Sequence, residues 1–376
     1  MMYAMKELSK EHVVGQSAQW TVVNEKRAMA KLSHPFIVNL RYALQDKESL
    51  YLVQDLCLGG DLKFHLRIAP EGFFEEPRAR FYAAELLLAL EHVHSKRILF
   101  RDMKPANVLL DDQGHVKLSD FGLVIQLPSS RASRLAGTPG YWAPEVLARK
   151  SQTYSADWWS WAVCLFEFLT GHRPQVTLPR PLSKRKAQKG QYEHKAENVA
   201  DLLKGDPTCP WTPFQTGQFV ENHAKRGGKL VLSIRWPAGL SADARDLLSR
   251  ILVADPQKRL TSQEIKNHKF FRHIEWHRLL EREMPPHFVP KRFEINTSSL
   301  ASMCLSMSTR QRVLLTPENT VMFNDFDYIS RTAVLDELRE VLRRNERAET
   351  EPKPKKSHGS QTAQLALPEH DCCRMM

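Results

Sequence analysis

The chain has 376 residues, of which 42% are hydrophobic, and a formal net charge of +11. This length suffices for a two-lobed enzyme core with extensions, and the apolar content is typical of a globular protein. The longest apolar stretch, 158–169, contains Glu167 and is too short to cross a bilayer, and Lys6 interrupts the first residues, so neither a transmembrane helix nor a signal peptide is expected.

The six cysteines are scattered without a CxxC pair. This pattern argues against a zinc site or a disulfide framework and favours a cytoplasmic protein. Much of the positive charge lies in two segments, 180–195 and 353–356, which are interpreted as solvated loops. No nucleic-acid partner is expected, because no repeat of aromatic and basic residues supports one.

The first part of the chain predicts a small, strand-rich region. Its elements are strands at 2–8, 37–43 and 49–56 and a helix at 21–32. Glu25, Met29 and Leu32 share one face of that helix. Gly59 and Gly60 then break the chain, and a hinge between two lobes is expected there.

Beyond Gly60 the pattern becomes helical. A helix is predicted over 78–94, where apolar residues recur at helical spacing. The segment 176–210 is rich in Lys, Arg, Gln and Pro and predicts a surface insertion. Helical patterns return over 241–253 and 332–344, and the polar segment 346–364 is expected to be disordered.

The strongest chemical pattern is the segment 101–107, Arg-Asp-Met-Lys-Pro-Ala-Asn, followed by Asp-Phe-Gly at 120–122. Asp102 is a candidate acceptor for a hydroxyl proton, and Lys104 would offset the charge of a transferring phosphoryl group. Asn107 and Asp120 offer oxygen ligands that suit Mg²⁺. A single aspartate could mark an acidic turn between two strands, but the whole set at this spacing favours phosphoryl transfer.

Upstream, Lys6 and Glu25 are candidates for an ion pair that holds the α- and β-phosphates of ATP. A lysine and a glutamate at this separation carry little information alone. Their order ahead of the catalytic segment makes the match persuasive. No glycine-rich loop precedes Lys6, and the sequence is therefore expected to be incomplete at its N-terminus.

With these motifs the chain resembles the eukaryotic serine/threonine protein kinases, and within them the AGC group, from about Tyr3 to Arg272. The resemblance implies an α+β, bilobal protein-kinase fold with a small β-rich N-lobe, its first strands missing, and a larger helical C-lobe. It implies ATP and Mg²⁺ as cofactors and a protein Ser/Thr hydroxyl as acceptor. The expected domains are a partial N-lobe at 1–56, a C-lobe at 57–272 with an insertion at about 175–210, an AGC-type tail at 273–331, an amphipathic helix at 332–345 and a disordered basic tail at 346–376.

The resemblance assigns further residues. Thr138 would steady Asp102 and Lys104, and it marks Ser/Thr rather than Tyr as the acceptor. The expected nucleotide contacts are Gln54 as gatekeeper, the backbone of Asp55 and Cys57 for adenine, Leu109 under the base and Asp61 near the ribose. The expected structural positions are the Glu145–Arg259 ion pair, Asp157 below the catalytic loop, and an apolar spine of Met29, Leu40, Phe100 and Phe121.

Within the AGC group, the segments 59–65 and 81–85 look most like the G-protein-coupled-receptor kinases, although Phe121 replaces their usual leucine. Ala106 removes an acidic side chain with which many AGC kinases read an arginine before the target site. Asp61 and Glu167 keep the other acidic positions, so the preference for basic substrates stays open.

Regulation is expected at two places. Arg134 stands where many AGC kinases carry a phosphorylatable threonine, and the neighbouring Ser133 is a candidate site whose phosphate would pair with Arg101. The segment 323–328 resembles the hydrophobic motif of AGC tails, with two phenylalanines that would dock beside the Glu25 helix. The alternative is a strand-like fragment of unstructured tail.

The last four residues fit a C-a-a-X box at Cys373, and Cys372 offers a second lipid site. Together with the basic patch at 353–356 they predict membrane association, although Arg374 is not aliphatic. Two functions therefore stay open for the chain: an ATP-dependent serine/threonine kinase, or an inactive kinase-shaped binding module that lacks the glycine-rich loop.

Overall fold

The computed structural model of the chain describes residues 2–174, 176–178, 197–198, 233–234, 236–291 and 315–350. Most of the expected insertion and both C-terminal cysteines lie outside these residues. The chain divides into two units, Met1–Ser330 and Arg331–Met376, which are described separately.

The strands are β1 Tyr3–Ser9, β2 Leu40–Gln45, β3 Ser49–Asp55, β4 Ile98–Leu99, β5 Val108–Leu110, β6 Val116–Leu118, β7 Ile125–Gln126, β8 Val176–Leu178, β9 Glu197–Asn198, β10 Ser233–Ile234 and β11 Tyr328–Ile329. The helices are α1 Lys10–Gly15, α2 Gln19–Met29, α3 Leu62–Ile68, α4 Glu76–Ser95, α5 Pro144–Leu147, α6 Tyr154–Thr170, α7 Ala242–Ile251, α8 Ser262–Lys266, α9 Trp276–Leu280, α10 Pro317–Thr320 and α11 Arg331–Thr350. Short 3₁₀ turns are Pro105–Asn107, Pro256–Lys258, Lys269–Phe271 and Val321–Phe323.

A four-stranded antiparallel sheet in the order β1-β3-β2-β11 forms the small lobe. The helix α2 packs against β2 on this sheet. It ends at Met29, three residues before the predicted end, and the unpredicted helix α1 precedes it. The side chain of Ser9 caps α1, whose six residues are too few to show a helical period.

The large lobe is built around α4 and α6. The helix α6 is buried on nearly every side, because apolar residues occupy almost its whole surface. Trp161 Nε1 in α6 donates a hydrogen bond of 3.0 Å to the Ala83 carbonyl in α4, which fixes the two helices to each other. A strand-rich lobe is thus followed by a helical one. The predicted α+β, bilobal fold is confirmed.

The chain connects the two lobes through Gly59, where the backbone is held rather than loose. The Gly59 amide donates to the Leu110 carbonyl at 2.9 Å, and the Leu110 amide donates to the Gly60 carbonyl at 2.8 Å. A Cβ on Gly59 would stand 2.7 Å from Leu110 and from Pro290, so only glycine permits this approach. The link predicted as a hinge is therefore bonded to β5 of the large lobe.

The segment 323–329 docks on the small lobe, as its sequence predicts. Phe323 and Phe326 are buried, and Lys26 Nζ in α2 donates to the Asp325 carbonyl at 3.0 Å. Tyr328 then pairs with Ala43, so β11 closes one edge of the sheet.

The second unit contains, among its described residues, the helix α11. Five large apolar side chains of this helix are exposed: Val334, Leu335, Leu338, Val341 and Leu342. Among the described residues of the whole chain, no helix is long and apolar enough to cross a membrane.

Candidate active site

The catalytic segment is held from below by Asp157, near the start of α6. Its carboxylate accepts backbone hydrogen bonds from Phe100 and Arg101, both at 2.8 Å. The ring of His94 lies 2.7 Å from the same carboxylate. Arg101 has φ +73°, a left-handed conformation that costs a non-glycine residue on the order of 1–2 kcal/mol. The contacts with Asp157 hold the loop in this strained conformation.

Asp102 lies at the centre of a small polar network. Its Oδ1 accepts from the Thr138 hydroxyl at 2.7 Å, and its Oδ2 accepts from Lys104 Nζ at 2.8 Å. Lys104 Nζ also donates to Thr138 Oγ1 at 2.8 Å. The three predicted catalytic residues are thus in contact with one another, and the network fixes the direction in which the buried Asp102 carboxylate points.

The two predicted metal ligands have the chemistry that Mg²⁺ requires. The amide nitrogen of Asn107 donates to Asp102 Oδ2 at 3.0 Å, so the amide offers its oxygen to other partners. Asp120 is exposed, and its Oδ1 accepts a hydrogen bond from the Gly122 amide at 3.4 Å. Among the described residues no cluster of three or more His, Cys, Asp or Glu forms a metal site. Two protein oxygens nevertheless fit Mg²⁺, which keeps waters and substrate phosphates as its remaining ligands.

Lys6 and Glu25 form the predicted ion pair. Lys6 Nζ lies 2.9 Å and 3.1 Å from the two Glu25 carboxylate oxygens. The Lys6 side chain is 44% exposed and that of Glu25 only 5%. Burial raises the pKa of Glu25, and the positive charge of Lys6 opposes this shift. The pair thus combines a buried carboxylate with an ammonium group that stays accessible to a ligand.

The predicted nucleotide contacts lie along the link between the lobes. Gln54 Nε2 lies 3.6 Å from Met29 Sδ. Burial raises the pKa of Cys57 to about 12, which keeps its thiol protonated. Leu109 is half-buried in β5, and its backbone pairs with that of Asp61 in an antiparallel β-bridge. The Asp61 carboxylate caps α3 by accepting from the Phe64 amide at 2.8 Å, a role that was not predicted from the sequence.

A polar cluster around Asp55 was also not predicted. The Asp55 carboxylate accepts from Asn39 Nδ2 at 2.8 Å, from Arg41 Nε at 2.6 Å and from Lys117 Nζ at 3.2 Å. Burial alone would raise the pKa of Asp55, but the charges of Lys117 and Arg41 and the hydrogen bonds from Asn39 and Arg41 together lower it. The cluster fixes the side chain of Asp55, whose backbone is expected to face adenine, to both lobes.

The predicted structural positions are present. Phe100 and Phe121 pack edge to face with ring centroids 5.3 Å apart, and Met29 and Leu40 are also buried. Arg259 makes two hydrogen bonds to Glu145, at 2.6 Å and 2.7 Å.

Comparison with known proteins agrees with this geometry. The model of the protein kinase domain matches residues 1–271. A RAC family serine/threonine-protein kinase homolog of Dictyostelium discoideum is 33% identical over 88% of this chain and 67% of its own length. G protein-coupled receptor kinase 4 of Mus musculus is 35% identical over 77% of this chain and 45% of its own length. Ribosomal protein S6 kinase 2 alpha of Gallus gallus is 37% identical over 77% of this chain and 33% of its own length.

The chain therefore belongs to the protein kinase domain family, and its relatives are serine/threonine kinases of the AGC type. Both predictions made from the sequence motifs are confirmed. Apart from the RAC family homolog, the chain spans about half or less of the length of these relatives.

Proposed function

We propose that the chain transfers the γ-phosphoryl group of ATP to Ser or Thr hydroxyls of a protein substrate. The observation that carries this proposal is the network in which Thr138, Lys104 and Asn107 all bond to the Asp102 carboxylate. A carboxylate fixed in this way can orient an incoming hydroxyl and receive its proton.

The other residues have roles that follow from charge and position. Lys104 would stabilise negative charge on the transferring group, because its ammonium lies beside the carboxylate that orients the acceptor. Lys6 would bind the α- and β-phosphates while Glu25 keeps its side chain in place. Asn107 and Asp120 would hold Mg²⁺, which supplies charge neutralisation between phosphate oxygens.

Recognition of the nucleoside is assigned to the link between the lobes. The backbone of Asp55 and Cys57 would bind adenine, with Gln54 behind the base and Leu109 below it. Asp61 would lie near the ribose, with its carboxylate shared between this role and the cap of α3.

The test compares the purified chain with Asp102→Asn in a phosphoryl-transfer assay with a mixed peptide library. Asn keeps the shape of Asp102 but cannot accept the proton, so a loss of about 10²–10⁴-fold is expected. Both proteins should gain thermal stability from ATP with Mg²⁺, because the substitution leaves Lys6 and Asp120 unchanged. Equal transfer rates for the two proteins would show that the chain is not a kinase through this site.

We also propose a cytoplasmic protein that contacts membranes through lipid groups on Cys372 and Cys373. This proposal rests on the sequence, because both residues lie outside the described part of the chain. A Cys373→Ser variant should lose membrane association in cell fractionation, whereas unchanged partition would exclude a lipid at this position.

A further inference from the structure

Lys117 in β6 is a charged residue that the fold places almost out of contact with water. Its side chain is 10% exposed, and its Nζ donates to the Asp55 carboxylate at 3.2 Å. The same Nζ donates to the Ile37 carbonyl at 3.5 Å. A lysine is seldom buried unless it is paired, because removing its charge from water is costly. The burial of Lys117 therefore depends on its contact with Asp55.

Lys117 also lies beside the expected nucleoside site. In the β5–β6 pair it stands directly opposite Leu109, which is expected to lie under the base. Residues that face each other across an antiparallel pair share one face of the sheet. Burial raises the pKa of the Cys57 thiol, and the charge of Lys117 opposes this shift, as expected for a nearby cation. Lys117 is thus close to three of the expected nucleoside contacts: Asp55, Cys57 and Leu109.

Asp55 is held by its backbone as well as by its side chain. The Asp55 amide donates to the Asn39 carbonyl at 3.1 Å. The carboxylate accepts from Asn39 Nδ2 at 2.8 Å and from Arg41 Nε at 2.6 Å, both in the small lobe, and from Lys117 in the large lobe. Because the amide is engaged, an adenine contact at Asp55 falls to its carbonyl. These contacts restrain the direction of that carbonyl.

Stability alone does not account for an ion cluster at this place. The cost of removing charges from water offsets much of their attraction, and in some proteins a buried ion cluster serves to fix one conformation. Burial alone would raise the pKa of Asp55, but its partners lower it, so the carboxylate stays ionised. The contact between Asp55 and Lys117 is therefore present over the whole neutral pH range.

We infer that Lys117 is a positioning residue for the nucleoside, because it joins Asp55 to the strand pair that carries Leu109 and so holds the Asp55 carbonyl in the direction that accepts the 6-amino group of adenine. The inference rests on the proposed kinase function and assigns the residue that sets its nucleotide selectivity. Guanine carries an oxygen at position 6, which a fixed carbonyl repels. A carbonyl that is free to turn would discriminate less between the two bases.

The experiment measures kcat and KM for ATP and for GTP with one serine peptide at saturating concentration. The native chain should use ATP with a kcat/KM at least about 10²-fold above that for GTP. Lys117→Met should raise the KM for ATP by about tenfold and lower the ATP/GTP ratio by about tenfold or more, as expected for the loss of one charge-assisted contact. Its kcat should stay within about twofold of the native value, whereas partial unfolding would lower kcat and leave KM unchanged.

Three further variants separate this contact from a general effect of charge. Asp55→Asn weakens the same contact from the other side and should also raise the KM for ATP. Asp55→Asn/Lys117→Met leaves no unpaired charge at these two positions, and it should add little to either single change, because both remove one interaction. Lys47→Met removes an exposed lysine from the turn between β2 and β3, and this matched control should keep the native ATP/GTP ratio.

Thermal stabilisation by ATP or GTP with Mg²⁺ gives a readout that does not need phosphoryl transfer. If transfer is absent but ATP stabilises the native chain more than GTP does, and Lys117→Met removes this difference, the kinase proposal fails and the positioning inference stands. The inference is wrong if the native chain binds both nucleotides equally. It is also wrong if Lys117→Met lowers kcat without raising KM, or if it leaves both the kinetic and the thermal difference unchanged.

Discussion

The two lobes each contain a lysine–glutamate or arginine–glutamate pair, and the two pairs differ in their access to water. In the large lobe the side chains of Arg259 and Glu145 are 1% and 6% exposed. In the small lobe Glu25 is 5% exposed, but its partner Lys6 is 44% exposed. The Arg259–Glu145 pair, here called the sealed pair, is closed to water and can only stabilise the fold. In the Lys6–Glu25 pair, here called the half-open pair, the lysine can exchange part of its interaction with Glu25 for a ligand.

The surroundings of the pairs agree with this difference. Arg259 also donates to the carbonyl of Val253 at 2.9 Å and to that of Ser155 at 3.0 Å, so its guanidinium is shared among several backbone segments. Lys6 Nζ donates to both oxygens of the Glu25 carboxylate. We therefore propose that the same combination of residue types serves stability in one lobe and ligand binding in the other.

The largest expected effect follows from breaking the sealed pair. Arg259→Met leaves the buried Glu145 carboxylate without its cation, and the free energy of unfolding should fall by about 3–5 kcal/mol. Urea denaturation of the purified variant measures this loss. The double variant Arg259→Met/Glu145→Gln should recover part of it, because no buried charge is then left unpaired. Equal stabilities of single and double variants would contradict the assignment of the loss to Glu145.

Breaking the half-open pair should affect catalysis more than stability. Lys6→Met removes a cation that is partly in water but leaves the buried Glu25 without its partner, so the free energy of unfolding should fall by about 1–3 kcal/mol, less than for Arg259→Met because Glu25 can take up a proton. Phosphoryl transfer should fall by about 10²-fold or more, because the phosphates lose their positive partner. Steady-state kinetics and urea denaturation on the same protein preparation check the two halves of this prediction. A Lys6→Met variant with native transfer rates would show that this pair does not bind the phosphates.

The pH dependence should also distinguish the two pairs. Burial raises the folded-state pKa of Glu25, so the carboxylate is protonated at a higher pH than an exposed glutamate. The kcat/KM for ATP should therefore decline on acidification above the range in which an ordinary glutamate titrates. The free energy of unfolding depends on pH in the opposite direction, because the folded state binds the proton of Glu25 more tightly than the unfolded state does. The contribution of Glu25 to stability is fully present below its unfolded pKa and is lost as pH rises through its folded pKa. Glu25→Gln should abolish this part of both profiles, and an acid limb that is identical in this variant would contradict the assignment.

The sequence predicted these residues well where chemistry demands a fixed spacing. Asp102, Lys104 and Asn107 lie in one short segment, and local order along the chain suffices to bring them together. The Lys6–Glu25 pair was also predicted, although only through its resemblance to known kinases. The residue types of this pair carry little information alone, and it was their order ahead of the catalytic segment that made the match informative.

The sequence could not predict contacts that depend on how distant elements pack. Lys63 Nζ donates to Glu167 Oε1 at 2.8 Å, but Lys63 looks like an ordinary exposed position of α3, and Glu167 lies in another helix more than a hundred residues later. The side chains that donate to Asp55 are Asn39, Arg41 and, from β6, Lys117. Hydrophobic periodicity reports which face of an element is buried, but it does not report which polar side chains meet there.

The smallest expected effect concerns the contact between α2 and residues 124–134, here called the activation segment, which contain the candidate phosphorylation site Ser133. Arg131 lies 3.7 Å from the Trp20 ring, and Asn24 Nδ2 donates to the Val124 carbonyl at 2.7 Å. Because Trp20 and Asn24 are one helical turn apart on the helix that carries Glu25, these contacts connect the segment to the Lys6–Glu25 pair. Arg131→Ala should lower kcat by about fivefold and increase hydrogen exchange over 124–134, as expected for the loss of one cation–π contact.

The matched variants decide whether this contact or a phosphate orders the segment. Trp20→Ala should reproduce the effect of Arg131→Ala, and the double variant should add little, because both remove the same interaction. Ser133 is exposed and lies two residues beyond Arg131, and its phosphate was expected to pair with Arg101. If Ser133→Ala lowers kcat more than Arg131→Ala does, a phosphate orders the activation segment. If Ser133→Ala is neutral, the stacked arginine is sufficient, and the half-open Lys6–Glu25 pair is supported by contacts that need no modification.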